Sequence, residues 1–199
     1  MLQYKIELKK FSELKGLIEI PKFQRGLVWD TAKKKEFIKT LKAGLPIGIL
    51  LLAPKDDKFL IIDGLQRFTT MADYASDYFK YIEEDEISDM DIVGIIMASQ
   101  DTREIYDGYI PSAKDRMRSD MREIIVSSYK NDGQINLNRR AMNVVNEFVK
   151  KIAAFKNDDF QALVEEVYNV LEKIEKNAKI DDVAIPLLEP AENSHYELS

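Results

Sequence analysis

The stretch from Phe59 to Thr70 constrains this chain more than any other, because it runs an apolar strand into a polar turn and straight into a helix. Leu60, Ile61 and Ile62 are strand formers, Gly64 supplies a position without a Cβ, and Gln66, Arg67, Thr69 and Thr70 crowd polar groups onto the first turn that follows. A helix start leaves its first amide N–H groups unpaired and carries roughly half a positive charge, so the junction suits an anion. Arg67 adds a fork of N–H donors. A second reading of the same residues stays open, with Asp63 as the N-cap of the helix and Arg67 paired to a carboxylate.

Upstream, Leu2, Tyr4, Ile6 and Leu8 alternate with polar residues and predict a short strand, Phe11 to Leu14 one turn of helix, and Leu17 to Ile20 a short apolar stretch stopped by Pro21. Pro21 to Asp30 is too polar for a core and too aromatic for a plain linker, and reads as an ordered loop. Asp30 or Thr31 caps the next helix, where Phe37, Ile38, Leu41 and Leu45 fall on one face and Lys35, Lys39 and Lys42 on the other. Pro46 and Gly48 end it. Ile49 to Ala53 and Phe59 to Ile62 form a β-hairpin, followed by a helix from about Gln66 to Tyr81.

From there the period is helical almost to the end. Met117, Met121, Ile124 and Ile125 make one apolar face, Ala141 to Phe155 a second and Phe160 to Ile174 a third, the last two joined as an antiparallel pair through Lys156 to Asp159. The methionines read as core filler. Val183 to Leu188 reads as a short strand, which Pro186 restricts to the edge or end of a sheet. The expected class is α+β: a small mixed sheet with its motifs in residues 1–80, a helical bundle region packed on it over 81–180, and a terminal strand with a polar tail over 181–199, expected to continue in a longer protein.

Composition removes several chemistries. There is no cysteine, so no thiolate nucleophile or cysteine zinc site, and the single histidine, His195, cannot make a catalytic triad or a multi-histidine metal centre. No metal ligands are assigned, and the acidic run Glu83 to Glu86 with Asp89 and Asp91 reads as a solvated loop or helix start. The longest apolar run, Ile47 to Ala53, is strand length, so no membrane span is expected and cytoplasm is the default. The net charge of −6 is unevenly spread: residues 1–70 hold 14 Lys or Arg against 8 Asp or Glu, a balance of +6, and the remainder 15 against 27. A polyanion or nucleotide is favoured at the basic end.

Neither G-x-x-x-x-G-K-[ST] nor G-x-G-x-x-G occurs, so a nucleotide has to be held another way. Gln24-Arg25 and Gln66-Arg67 are two glutamine-arginine pairs, each beside a phenylalanine, Phe23 and Phe68. Arginines converging on a phosphate make charge-assisted hydrogen bonds, glutamines orient a water or a phosphoryl oxygen, and Asp63 accepts from a sugar hydroxyl, holds Mg²⁺ or caps the helix. The alternative is that both pairs lock the fold.

The order Ile-Pro-x-Phe-Gln-Arg-x-x-Val-Trp over Ile20 to Trp29, a lysine-rich helix, Gly-x-Pro-Ile-Gly over Gly44 to Gly48, then Ile62-Asp63-Gly64-Leu65-Gln66-Arg67-x-Thr69-Thr70, resembles the N-terminal domain of GmrSD-type restriction proteins, which is similar in fold to the ParB and sulfiredoxin superfamily. The resemblance implies a bacterial phage-defence setting in which a nucleoside triphosphate, with or without Mg²⁺, is bound and coupled to cleavage of foreign or modified DNA. It puts Asp63, Gln66 and Arg67 at the catalytic box, with Gln24, Arg25, Gly64, Arg67 and Thr69 around the nucleotide. Hydrolysis of the nucleotide is implied as well as binding, and Leu65, which departs from the family's Asp-Gly-Gln-Gln-Arg, bears on hydrolysis more than on binding. Relatives often carry an HNH nuclease half, whose histidines this chain lacks, so that half is expected in a partner domain or subunit. The competing expectation is a non-catalytic DNA-binding module using Lys35, Lys39, Lys42 and Trp29.

Overall fold

The alternating residues near the N-terminus build β1 (Tyr4–Lys10), and the structure, a computed structural model, describes residues 4–20, 26, 28–152, 155–156 and 159–190. The chain divides into two compact units, Met1–Tyr78 with Lys179–Ser199, and Phe79–Ala178. The class is the expected α+β one.

In the first unit β1 is followed by α1 (Phe11–Leu14), β2 (Ile18–Glu19), α2 (Thr31–Lys42), β3 (Leu50–Lys55), β4 (Lys58–Asp63) and α3 (Leu65–Ser76), and the chain returns as β5 (Ala184–Pro190). The sheet order is β1-β5-β3-β4-β2. It is mixed: β1 with β5 and β3 with β4 run antiparallel, β5 with β3 and β4 with β2 parallel. Leu50, Leu52, Ile61, Ile185 and Leu187 are buried from one face together with Phe11, Leu14 and Met71, each large apolar side chain contributing about 1.5–3 kcal/mol. Phe11 of α1 and Phe68 of α3 meet with ring centroids 6.1 Å apart.

Three local expectations change. Pro186 does not hold β5 at the sheet edge, because β3 registers only with Leu187 and Leu188, leaving residue 186 before the doubly flanked stretch, where a missing N–H costs no ladder bond on that side. Leu45 is exposed rather than on the α2 core face, since the helix stops at Lys42 and Gly44 turns the chain with φ 67°. The helix after the hairpin ends at Ser76, and a 3₁₀ turn over Tyr78–Tyr81 replaces its last turn.

The second unit is helical: α4 (Asp89–Ala98), α5 (Gln100–Gly108), α6 (Pro111–Asn131), α7 (Leu137–Lys150) and α8 (Phe160–Asn177). Ser88 and Asn136 cap α4 and α7 by accepting from Asp91 N–H and Arg139 N–H, and Pro111 opens α6 where its missing N–H is harmless. Met117 and Met121 lie in the core with Ile124 and Ile125, while α7 and α8 pack on one another and bury Val145, Phe148, Leu163 and Val167. Residues of the acidic run form a 3₁₀ turn over Glu84–Glu86, and the acids after it are ion-paired, Asp89 to Arg122 and Asp91 to Lys173 at 2.9 Å. Among the described residues no helix is long and apolar enough to cross a membrane.

Candidate functional site

The strand-to-helix junction is built as its residues dictate. Gly64 occupies the cap position of α3 with φ 97°, a left-handed conformation that L side chains rarely adopt, and a Cβ placed there would lie 2.3 Å from Leu50 Cδ2. Phe68 N–H donates to Gly64 C=O at 2.9 Å and starts the helix, so the amides of Leu65, Gln66 and Arg67 precede the first intrahelical donor. Asp63 is not the side-chain cap, because α3 has no side-chain cap hydrogen bond; its carboxylate, 73% exposed, instead accepts from Arg67 Nη2 at 3.1 Å. The alternative of Arg67 paired to a carboxylate is therefore realised, with the strand's own aspartate as partner.

Arg67 reaches further than that ion pair. Its Nη1 donates to the carbonyl of Ile47 at 2.9 Å and its Nη2 to that of Ile49 at 3.1 Å, and its side chain is 18% exposed. The turn it grips has no room for a side chain at Gly48, where a Cβ would lie 2.5 Å from Nη1 and φ is 77°. One guanidinium thus ties together the Gly44–Gly48 turn, the end of β4 and the start of α3. Nothing in the periodicity of the chain announced this use.

Gln66 does the same for the preceding loop. Its Oε1 accepts from the N–H groups of Val28 and Trp29 at 3.1 and 3.2 Å, and its Nε2 donates to the carbonyl of Gly26 at 3.2 Å. Gly26 is the next residue after Arg25 in the chain, so the grip lies one residue from the companion pair. Gln24 and Arg25 themselves lie outside the described residues. Thr69 and Thr70 are turned inward along α3, donating to the carbonyls of Leu65 (2.8 Å) and Gln66 (2.7 Å). Leu65, at the position of departure from the family's box, is buried, so leucine there adds to the core.

The nucleic-acid candidates are arranged differently from a free basic stripe. Trp29 is half-buried, its ring edge-on to Phe37 at 5.4 Å with the Lys33 ammonium 5.4 Å from its centroid. On α2, Lys39 is exposed while Lys35 and Lys42 are half-buried along the flanks of the helix. Lys33, absent from the sequence-based set, is the lysine seen against the tryptophan; its i+4 spacing from Trp29 is the signal that marks it.

The described end of the Ile20 to Trp29 segment and the Gly44 to Gly48 turn are therefore both tied to the start of α3 by side chains of the Asp-Gly-Leu-Gln-Arg box. No curated protein and no solved structure matches the chain. Residues 7–194, nearly its whole length, match the family described as GmrSD restriction endonuclease, N-terminal domain; the chain belongs to that family, and so to the restriction and phage-defence proteins.

Proposed function

We propose that this domain binds a nucleoside triphosphate with its phosphates at the start of α3, and that binding is coupled to cleavage of foreign or modified DNA by an HNH-type nuclease domain or subunit. The observation that carries the reading is the threefold hold of Gln66 on Gly26, Val28 and Trp29, which anchors the loop following Arg25 to the helix start. Gln66 and Arg67 act as positioning residues in this reading. The anion is met by the first amides of α3, where the helix carries roughly half a positive charge, and by Arg25.

The junction fits such a group. Gly64 permits the left-handed turn that opens the helix, where a Cβ would strike Leu50, and Arg67 offsets the Asp63 charge that would otherwise repel a phosphate. Asp63, largely exposed, would accept from a sugar hydroxyl or hold Mg²⁺ through one oxygen. The balance of +6 over residues 1–70 favours the same end of the chain. With Leu65 buried and the Gln66 amide committed to three backbone groups, the box has no spare glutamine amide to orient a water, which supports a sensing role over rapid turnover.

A thermal melt tests this. A nucleoside triphosphate should raise the melting temperature of the wild type and leave Arg25→Ala unmoved. Absence of a shift with all four triphosphates, in the presence and absence of Mg²⁺, would overturn the reading.

A further inference from the structure

Among the described residues the sheet ends at β1, which carries its polarity the wrong way round for a guarded edge. Its charged residues Lys5, Glu7 and Lys9 lie on the side of Glu189, which is 5% exposed and ion-paired to Lys5 at 3.3 Å and Lys9 at 3.5 Å. Its apolar residues stand in the open, Tyr4 at 51%, Ile6 at 65% and Leu8 at 71% exposure. They register with Pro190, Leu188 and Pro186 of β5, and Leu188 registers with Leu51 of β3, so the exposed stripe continues onto the open side of the sheet. Natural edges are usually blunted by proline, a bulge or outward charges. β1 has no proline, and its register with β5 is unbroken from Tyr4 to Lys10.

The register also tells which backbone groups face outward. In an antiparallel ladder alternate pairs exchange both N–H···O bonds and the pairs between them exchange none. Proline has no N–H to exchange. Both Pro186 and Pro190 stand opposite β1 residues of one phase, Leu8 and Tyr4, with Ile6 between them in that phase. The N–H and C=O groups of Tyr4, Ile6 and Leu8 therefore point away from β5, toward the outer edge.

We propose that β1 pairs with the β1 of a second copy of this chain, antiparallel across a two-fold axis at Ile6. Charge rules out the registers one residue to either side. Centred on Ile6, Tyr4 meets Leu8 of the second copy, Ile6 meets Ile6, and Lys5 meets Glu7 in the narrow non-exchanging pairs where side chains approach closest. Centred on Lys5 the ammonium groups would face one another, and centred on Glu7 both Glu7 with Glu7 and Lys5 with Lys9 would oppose like charges. A register centred between residues would set the apolar stripe against the charged one. The outward N–H and C=O groups of Tyr4, Ile6 and Leu8 then exchange bonds across the axis, extending one sheet through both copies.

Sedimentation velocity on the full chain, over a concentration series into the high micromolar range, reads the outcome. The mass should rise from 23.0 kDa toward twice that value. Ile6→Lys, at an exposed position and so with an unchanged melting temperature, should stay at the single-chain mass because two ammonium groups meet at the axis. Lys5→Glu should also abolish the larger species, and Lys5→Glu with Glu7→Lys together should restore it. A wild type that stays single at every concentration, a dimer unaffected by Ile6→Lys, or a double variant that fails to restore pairing would each overturn the proposal.

Discussion

Replacing Arg67 by alanine separates a clamp from a surface ion pair by size. The bond from Nη1 to the Ile47 carbonyl, 2.9 Å and partly buried, is charge-assisted and contributes about 1.5–3 kcal/mol; the bond to the more exposed Ile49 carbonyl adds about 1 kcal/mol. The pair with Asp63 adds at most about 1 kcal/mol, because that carboxylate is 73% exposed and screened by water. Arg67→Ala should then cost about 3–4 kcal/mol, and Asp63→Ala less than about 1 kcal/mol. With a urea slope of about 2 kcal/mol/M, the first variant lowers the unfolding midpoint by about 1.5–2 M and the second by under about 0.5 M. Arg67→Lys, which reaches one carbonyl but not the fork, should fall between. Equal midpoint shifts for Arg67→Ala and Asp63→Ala, or a shift below about 0.5 M for the former, would refute the clamp.

Gly64→Ala should destabilise by about 1–3 kcal/mol in the same assay, since φ 97° and the approach to Leu50 both oppose a Cβ, and a neutral outcome would contradict the geometry. Stability should also fall in acid. The Lys5 ammonium, then the Glu189 side chain, hold the Glu7 carboxyl at about 2, below its ordinary 4.5, so the contribution is complete above pH 4.5 and is lost as pH falls to about 2. Lys10 lowers Asp182 and Lys55 lowers Glu19 in the same direction. Urea midpoints that stay level from pH 5 to pH 2.5 would contradict this, and Glu7→Gln should flatten part of the slope. In the helical unit, Arg140 is fully buried, lies 4.2 Å over the Tyr129 ring and donates to the carbonyls of Ser128 and Gly133. Arg140→Ala should cost about 3–5 kcal/mol by leaving a cavity and orphaned carbonyls, and a loss under about 1 kcal/mol would refute that role.

Local pattern carried much of the fold into view. Period-two alternation marked β1, the turn at Asp56 joined the hairpin, and the i, i+3, i+4 faces marked α6, α7 and α8, because each is a property of neighbours in the chain. The interior place of β5 was hidden, since Pro186 forbids a ladder bond only on one side and its partners lie more than a hundred residues away. The uses of Gln66 and Arg67 were hidden for a similar reason. Both spend their donors on backbone carbonyls of distant segments, and a carbonyl is present at every residue, so its identity leaves no mark in the sequence. The motif positions were legible; that Gln66 and Arg67 hold the frame was not. Arg140, buried without a carboxylate among the described residues, carried no sequence signal at all.

Calorimetric titration of the four nucleoside triphosphates into the wild type and Arg25→Ala, with and without Mg²⁺, tests the central claim most directly. Saturable binding to the wild type, weakened at least about tenfold by Arg25→Ala, which corresponds to about 1.4 kcal/mol, is the predicted result. Binding of equal strength in Arg25→Ala, or no binding of any triphosphate to the folded wild type, would contradict it.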